Sequence, residues 1–349
     1  MRLVTIELQT VLGRHVRLGA LWRDGVLDLN FACAWHLQGA GEPAWRSLAN
    51  LLCPPDLRAF LEVGERAWSL VRESLHRLDA FEVLPDGPDG SRLLHPLGEV
   101  RLLAPLPNPQ SLRDFYAFEE HVRTGFSKRG EPIPPAWYEL PVYYKGNHRT
   151  IIGPEAPLPW PRYTRQLDFE LELVAVIGRE GRNIGVSEAP QYIAGYTLMN
   201  DVSARDIQRK EMACRLGPAK GKDFATVLGP ALVTPDELPQ LDDLPAWIRV
   251  NGELWSESNA GNPYWNFAQM IAHVSMDETL YPGDVIASGT VGRGCGLELD
   301  RWIAPGDVVE LEVAGLGVLR NPVGQPVTAP PPPLRPSVEA EAPALNGMT

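Results

Sequence analysis

The chain has 349 residues, of which 44% are hydrophobic, and its formal net charge is −12 at pH 7. An acidic chain without a basic run is not typical of a nucleic-acid-binding protein, which needs a basic patch. No apolar stretch reaches the roughly 18 residues of a membrane span, and the N-terminus carries charges where a signal peptide needs an apolar run.

Four cysteines are scattered along the chain, at positions 33, 53, 214 and 295. None of them belongs to a CxxC pair, so neither a zinc site nor a disulfide framework is indicated. Reduced thiols are typical of proteins in the cytosol. We therefore expect a cytoplasmic protein whose cysteines are free.

The first 95 residues are predicted to form a small α+β domain. Its strand-like segments are RLVTIEL, HVRLGALW and GVLDL, and residues 55–78 show the apolar spacing of a helical region. The polar, turn-rich sequence LPDGPDGSR at 84–92 follows. Such a segment is typical of a linker, so we place the end of the first domain there.

Residues 100–325 are predicted to form a second, larger domain, built mostly of short strands broken by glycine and proline. Two helices are expected to interrupt the strands. One follows Ser111, where SLRD resembles a capping box, and the other begins at Asn200-Asp201. The segment 326–349 is rich in proline and alanine without periodicity, so it is predicted to be a disordered tail.

Three acids alternate with apolar residues in LDFELELVAVIG, residues 167–178. Side chains alternate faces along a strand, so Asp168, Glu170 and Glu172 are expected to share one face. A strand with its polar face in solvent explains this pattern simply. A divalent cation is the alternative explanation, because close carboxylates repel one another and a hard cation with oxygen ligands relieves the repulsion.

Polar residues also gather in NDVSARDIQ, residues 200–208. Asp201 is a good residue for capping a helix. Asp201, Arg205 and Gln208 follow the i, i+4, i+7 spacing of one helical face. A solvated stripe has the same spacing, so the pattern leaves function and simple solvation both open.

RDFYAFEEHVRTG, residues 113–125, contains Asp114 and His121, which share a face if one helix covers both. Histidine is the usual general base near neutral pH. A solvated or structural histidine is the simpler interpretation.

Two glycine-bounded segments complete the set. GPAKGKDFATVLGP at 217–230 does not match the phosphate-binding GxxxxGK[ST] pattern, but its Lys222 can direct a charge into a pocket. In YPGDVIASGTVGRGCGLELD at 281–300, a strand is expected to end in a glycine-rich bend before Glu298. The glycines allow close approach to a ligand, although ordinary loops have the same composition.

Together, these segments resemble the fumarylacetoacetate hydrolase family. The matching motifs occur in the family's order over about residues 100–325: RDFYAFEEH, LPVYYKG, LDFELE, GYTLMNDVSARDIQ, LGPAKGKDF, LYPGDVIASGT and GLGVLRNPV. The N-terminal region resembles the small leading domain of longer members. The resemblance implies an α+β, β-rich fold, in which a mixed β-sandwich roll follows a small α+β domain, and it implies a homodimer.

The resemblance also implies the site residues. It assigns a divalent cation, Mg²⁺, Mn²⁺ or Ca²⁺, to four carboxylates: Asp114, Glu170, Glu172 and Asp201. It assigns proton transfer to His121, oriented by Glu298, and it places three oxyanion-stabilising side chains around the substrate: Arg205, Gln208 and Lys222. Further positions of the substrate pocket match Tyr116, Tyr144 and Thr290.

The activity implied by the resemblance is metal-dependent hydrolysis of a C–C bond in a β-diketo acid, of the fumarylacetoacetate or acylpyruvate type, in aromatic-compound catabolism. At 143–145 the chain has Tyr-Tyr-Lys where fumarylacetoacetases have Gly-Tyr-His, so the oxo-acid substrate stays open.

Two alternatives remain. The same site suits an isomerase or decarboxylase of 2-oxo or 2-hydroxy-dienoic acids, of the 2-hydroxyhepta-2,4-diene-1,7-dioate isomerase or oxaloacetate decarboxylase type. A non-catalytic binding protein with this fold is disfavoured, because every matched polar position holds a competent side chain.

Overall fold

The computed structural model describes residues 1–11, 13–238 and 240–328. The strands, in chain order, are β1 (Arg2–Thr10), β2 (Gly13–Trp22), β3 (Gly25–Asp28), β4 (Leu94–Pro96), β5 (Arg101–Leu102), β6 (Ser111–Phe115), β7 (Tyr143–Lys145), β8 (Ile151–Ile152), β9 (Leu158–Trp160), β10 (Leu167–Asp168), β11 (Glu170–Ile177), β12 (Gly181–Arg182), β13 (Ile193–Asn200), β14 (Ser203–Ala204), β15 (Thr226–Val233), β16 (Pro245–Val250), β17 (Glu253–Asn259), β18 (Thr279–Leu280), β19 (Asp284–Cys295), β20 (Val308–Val313) and β21 (Gly317–Pro326). The α-helices are α1 (Leu29–Gly39), α2 (Trp45–Leu52), α3 (Leu57–Val63), α4 (Glu65–Leu78), α5 (Glu119–Ser127), α6 (Arg205–Ala213), α7 (Phe267–Val274) and α8 (Gly296–Leu299).

The fold is sheet-rich and mixed α+β, as the sequence predicts. Its largest sheet has 12 strands in the order β4-β3-β2-β1-β15-β13-β11-β19-β6-β7, with β5 paired to β1 and β8 paired to β15. The pairs β19–β6 and β15–β8 are parallel. A second sheet has five strands in the order β17-β16-β20-β21-β9. The strands that carry or adjoin the site residues therefore lie close together: β13 is next to β11, and β19 lies between β11 and β6.

Strand β11 is buried along its whole length, so the interpretation of a half-solvated strand is wrong. Leu171 and Leu173 pack in the core that also contains side chains of β16 and β20. Val174 and Val176 pack instead in the core under helices α1 and α4. Because neighbouring side chains point to opposite faces, both faces of this strand are covered. An acid on β11 must then find its partners inside the protein.

The helix predicted after Ser111 is wrong. Residues Ser111–Phe115 form β6, which pairs with β19, and the hydroxyl of Ser111 donates to Asp284 Oδ1 at 2.5 Å instead of capping a helix. The helix α5 begins only at Glu119. Asp114 and His121 therefore do not share a helical face. A single strand buried between neighbours can carry a capping-like sequence, because tertiary packing overrides the local signal.

The helix predicted at Asn200-Asp201 begins later, at Arg205. Asp201 follows the end of β13 and caps no helix, so of the predicted helical face only Arg205 and Gln208 share α6. The predicted end of the strand VIASGT in a glycine-rich bend is also wrong. Strand β19 continues to Cys295, and α8 follows it directly.

Other local predictions need smaller corrections. The helical region at 55–78 is divided into α3 and α4 at Gly64, whose φ of 73° is a left-handed value that favours glycine. Helix α7, which was not predicted, begins with a capping box formed by Asn266 and Gln269. Residues 308–324 belong to the region predicted to consist of short strands, and they contain β20 and most of β21, which pair with each other.

The division into domains of 1–95 and 100–325 stays a prediction. Strand β1 pairs with β15, so strands from both segments lie in one sheet. Of the predicted tail at 326–349, residues 329–349 lie outside the described residues, and its disorder stays a prediction. Among the described helices, none is long and apolar enough to cross a membrane. The four cysteines are free, as predicted.

Candidate active site

Three carboxylates from separate parts of the chain meet inside the large sheet. Asp114 lies on β6, Glu172 on β11 and Asp201 just after β13, and ligand oxygens of the three lie within 4.8 Å of one another. All three residues are buried, with at most 3% of their surface exposed. Strand pairing of β6 with β19, β19 with β11 and β11 with β13 produces this convergence. These residues form the carboxylate cluster.

The carboxylate cluster holds negative charge that the described residues compensate only in part. Burial raises the pKa of Asp114, and the neighbouring carboxylate of Asp201 raises it further. Burial likewise raises the pKa of Glu172, with Asp114 and Asp201 adding to the shift. The pKa of Asp201 is also raised, mainly by burial, although Lys222 opposes the shift. The cluster therefore disfavours its own ionised form.

The donor set of the cluster fits a hard divalent cation. Oδ1 of Asp114 and Oδ1 of Asp201 are buried and have no hydrogen-bond partner among the described residues. Unpaired buried carboxylate oxygens are costly, and a cation would supply the missing partner. Because all the donors are oxygens, the cluster suits Mg²⁺, Mn²⁺ or Ca²⁺ better than zinc.

Glu170 is placed differently from the other three predicted metal ligands. Its Oε2 accepts a hydrogen bond from Lys222 Nζ at 2.6 Å, and its Oε1 lies 2.6 Å from Arg205 Nη2. Burial alone raises the pKa of Glu170, but Arg205 and then Lys222 outweigh burial and hold the pKa well below its ordinary value. Lys222 also pairs with Asp201, so it joins Glu170 to the carboxylate cluster.

Asp168 positions the guanidinium of Arg205. Oδ2 of Asp168 accepts from Arg205 Nε at 2.8 Å and lies 2.7 Å from Nη2. The same carboxylate accepts from the backbone amides of Gly296 and Leu297 at 2.9 and 3.0 Å. Arg205 Nη1 in turn donates to Gln208 Oε1 at 2.9 Å. Asp168 therefore links β10, α6 and the start of α8.

A histidine–glutamate pair lies beside the carboxylates. His121 on α5 brings its Nδ1 to 3.0 Å from Oε2 of Glu298 on α8, and both side chains are buried. Oε2 of Glu298 accepts from the backbone amide of Gly294 at 3.1 Å and from Cys295 Sγ at 3.4 Å. Cys295 pairs with Glu170 across β19 and β11. The histidine–glutamate pair therefore lies next to Glu170, which adjoins the carboxylate cluster.

The three predicted substrate-pocket residues also lie at this site. The Tyr144 hydroxyl donates to Asp201 Oδ2 at 2.9 Å. The ring of Tyr116 packs edge-on against that of His121, with 5.3 Å between centroids, and burial raises the pKa of Tyr116 to about 12. Thr290 pairs with Glu172 across β19 and β11. Whether these side chains bind substrate stays a prediction.

Gly289 allows β19 to approach the cluster closely. Its φ is 81°, and a Cβ there would lie 2.4 Å from the carbonyl oxygen of Phe115. Its amide donates to Glu172 Oε2 at 3.1 Å. Glycine is required at this position, because the backbone has a positive φ and a side chain would collide with β6.

The structure thus brings all twelve predicted site residues into one contiguous region, although the roles assigned to them stay predictions. Reasoning from the sequence underrated two residues. The family resemblance implies a place for Asp168 just off the site and does not predict its contact with Arg205. Cys295 was treated as a scattered thiol, although its position three residues before Glu298 was an available signal.

Comparison with known proteins agrees with this arrangement. The sequence model of the family described as "Fumarylacetoacetate (FAA) hydrolase C-terminal" matches residues 110–324, which is more than half of the chain. The chain belongs to the fumarylacetoacetate hydrolase family. The matched region contains every residue of the candidate site.

The proteins that resemble the chain are named for different activities. The oxaloacetate tautomerase FAHD2B, mitochondrial, of Bos taurus is 32% identical over 325 residues, covering 93% of this chain and 91% of the relative. The solved 5-carboxymethyl-2-hydroxymuconate delta-isomerase of Mycobacterium smegmatis is 26% identical, with a TM-score of 0.61, and the match covers 93% of this chain and 99% of that one.

A third relative supports the fold alone. The maleylpyruvate hydrolase of Sphingobium sp. SYK-6, solved in complex with manganese(II) and pyruvate, is 22% identical with a TM-score of 0.65, covering 94% of this chain and 100% of that one. The two relatives named above are called a tautomerase and an isomerase, so membership of the family does not by itself choose an activity.

Proposed function

We propose that this protein is a metal-dependent tautomerase or isomerase of a small 2-oxo acid, of which oxaloacetate is the first candidate. The observation that carries the proposal is the buried His121–Glu298 pair beside a carboxylate cluster that fits a hard cation. Relatives named oxaloacetate tautomerase, 31–32% identical over 93% of the chain, support this choice over C–C hydrolysis. The isomerase of Mycobacterium smegmatis supports it as well.

The carboxylate cluster of Asp114, Glu172 and Asp201, with Glu170 adjoining it, would hold the cation. A divalent ion there would supply Lewis-acid polarisation of the 2-oxo carbonyl. Such polarisation acidifies the C–H bonds next to the carbonyl, so a nearby base can remove one of those protons.

His121 is the candidate for that base. A carboxylate facing Nδ1 favours the tautomer with its proton on Nδ1, and this tautomer leaves Nε2 as the acceptor. Glu298 lies 3.0 Å from Nδ1 and so suits this orienting role. In the proposed reaction, Nε2 takes a proton from the carbon next to the carbonyl and returns one to the oxygen. The substrate then changes between its keto and enol forms without losing any atom.

Lys222 and Arg205 would act as fixed positive charges in this reaction. Burial alone lowers the pKa of Lys222, but Asp201 and Glu170 outweigh it and raise the pKa above its ordinary value. For Arg205, too, Glu170 and Asp168 outweigh burial and raise the pKa. Because both groups keep their protons, they suit binding of substrate carboxylates and stabilisation of negative charge on oxygen rather than proton abstraction.

Hydrolysis of a C–C bond in a β-diketo acid is the second candidate. The same His121–Glu298 pair could activate water, and the same cations could stabilise a tetrahedral oxyanion. Decarboxylation of a 2-oxo acid also needs the cation but does not need an activated water. A binding protein without turnover would leave the buried pair without a role.

Product analysis tests these alternatives. The full chain, in Mg²⁺ or Mn²⁺, is given oxaloacetate, fumarylacetoacetate and an acylpyruvate, and the enol absorbance, the carbon dioxide and the cleavage acids are measured. Loss of enol absorbance from oxaloacetate, without carbon dioxide or new acids, supports the proposal. Cleavage acids from the β-diketo acids would favour the hydrolase, and carbon dioxide the decarboxylase.

Assembly and location are part of the proposal. We expect a homodimer acting on a small-molecule oxo acid in the cytoplasm, with neither nucleic acid nor membrane as a partner. Light scattering on the purified chain tests the dimer. The relatives with mitochondrial names make fractionation of the native cell the direct test of location.

A further inference from the structure

Cys295, His121 and Glu298 lie together in a second group of possible metal ligands, separate from the carboxylate cluster. One ligand atom of each lies within 4.8 Å of the others. Cys295 is fully buried, and the side chains of His121 and Glu298 are only 8% and 3% exposed. Because Cys295 ends β19 and Glu298 lies on α8, the chain itself places the thiol beside the carboxylate.

Two polar atoms of this group lack a well-aligned hydrogen bond, although Nδ1 of His121 lies 3.0 Å from Oε2 of Glu298. Nδ1 of His121 and Oε1 of Glu298 are buried and make no aligned hydrogen bond with any described residue. Burial without a partner is costly for polar atoms. The group therefore combines a nitrogen, an oxygen and a sulfur donor with unsatisfied bonding capacity.

The spacing of these donors suits a tetrahedral ion. Nδ1 of His121 lies 3.0 Å from Oε2 of Glu298, and Sγ of Cys295 lies 3.4 Å from the same oxygen. Tetrahedral bonds of about 2.0–2.3 Å to nitrogen, oxygen and sulfur separate neighbouring donors by roughly 3.3–3.6 Å. Only a small movement of the side chains is therefore needed to bind such an ion.

We propose that His121, Cys295 and Glu298 form an inhibitory site for a thiophilic divalent cation such as Zn²⁺, distinct from the carboxylate cluster that Mg²⁺ would occupy. A sulfur donor disfavours Mg²⁺ and favours Zn²⁺. Cys295 binds as the thiolate, so its proton, which the thiol now directs to Oε2 of Glu298, is released to solvent when the ion binds. Three protein ligands leave a fourth position for water, as is common for zinc outside purely structural sites.

Inhibition follows from the chemistry of imidazole. A neutral imidazole has one lone pair for binding and one N–H. When Nδ1 binds the ion, the proton must sit on Nε2, so His121 can no longer accept a proton there. This part of the inference rests on the proposed function, whereas binding of the ion does not.

Binding is tested with Co²⁺ as an optical probe on the full chain in saturating Mg²⁺. We expect a sulfur-to-cobalt charge-transfer band, with one bound Co²⁺ per chain, in the wild type and in Cys214→Ser, which removes an exposed thiol. The band should be lost in Cys295→Ser. A wild type without the band, or a Cys295→Ser variant that keeps it, would overturn the site regardless of any activity.

Inhibition is tested by titrating Zn²⁺ into the enzyme assayed in Mg²⁺. Measured against its own rate without Zn²⁺, Cys295→Ser should need more than roughly 100-fold more Zn²⁺ for half-inhibition, since even outer partners of metal ligands are worth about 10–100-fold. Cys214→Ser should match the wild type. If serine destabilises this buried position, Cys295→Ala serves in its place. Equal Zn²⁺ sensitivity of a folded Cys295 variant and the wild type would contradict the inhibitory role.

Discussion

Glu170 and Glu172 lie two positions apart on β11, yet their carboxylates have opposite electrostatic surroundings. Glu170 contacts Lys222 and Arg205, which hold its pKa below the ordinary value against the effect of burial. Glu172 is buried beside Asp114 and Asp201, and its pKa is raised. One acid is therefore already neutralised by protein cations, whereas the other lies among like charges and accepts a hydrogen bond from the neutral amide of Gly289.

Substitution of these two glutamates should separate fold stability from metal binding. Glu170→Gln leaves Lys222 and Arg205 short of a buried counter-charge, so the free energy of unfolding should fall by about 3–5 kcal/mol. Glu172→Gln removes a repelled acid, so the metal-free protein should be as stable as the wild type or more stable. Chemical denaturation without metal measures both. Equal destabilisation by the two variants would contradict the assigned surroundings.

Metal should stabilise the wild type but not Glu172→Gln. An ion at about 100 times its Kd raises the free energy of unfolding by about 2.7 kcal/mol. We expect Mn²⁺ to give this gain in stability in the wild type but not in Glu172→Gln. A chelator should abolish activity, and added Mg²⁺ or Mn²⁺ should restore it. Thermal unfolding with and without Mn²⁺ measures the gain. Full activity in a verified metal-free preparation would refute metal dependence.

The affinity of the cluster for Mn²⁺ should increase with pH. The pKa values of Asp114 and Glu172 are raised above their ordinary values of 3.8 and 4.5, so these carboxyls keep protons to a higher pH than free acids do. A cation must displace those protons, and binding becomes tighter as the pH rises through the raised pKa values. Calorimetric titration at several values between about pH 5 and pH 8 measures this and the protons released. A pH-independent affinity would show that the carboxyls bind no protons in this range.

Loss of the candidate base should reduce turnover without affecting metal binding. His121→Ala should lower kcat by about 10²–10⁴, the usual contribution of a positioned acid–base group. The carboxylate cluster is unchanged in this variant, so the Kd for Mn²⁺ should stay close to that of the wild type. Steady-state kinetics and Mn²⁺ titration on the same preparation measure both. His15→Ala, on an exposed part of β2, is the matched control. Near-normal turnover of His121→Ala would remove histidine from the mechanism.

Asp168 should matter for stability although it is not assigned to the cation. Asp168→Asn removes the charge that pairs with Arg205 and places an amide donor where the guanidinium and backbone amides already donate. Breaking such a buried pair costs about 3–5 kcal/mol. Asp24→Asn, at an exposed position, should change stability by less than about 0.5 kcal/mol. Urea unfolding of the two variants tests this, and similar curves would show that Asp168 has no special role.

Errors in the local predictions have a common cause. SLRD at 111–114 has the sequence of a capping box, but the partner strand β19 takes up its backbone hydrogen bonds, and the segment becomes β6. The capping box that does begin a helix is formed by Asn266 and Gln269 at α7. A capping interaction contributes about 1 kcal/mol. The stabilisation from strand pairing and burial inside a sheet is larger than this, so it decides the local structure.

The sequence by itself determined the identities of the site residues and the order of their motifs, and alternation along β11 placed Glu170 and Glu172 on one face. Only the tertiary structure decided which acid meets which charge. Asp114, Asp201 and Lys222 come from segments far apart along the chain, and strand pairing around β11 and β19 brings them within contact distance. Electrostatic interaction depends on distance and burial, so sequence spacing could not reveal that Glu170 is neutralised while Glu172 is not.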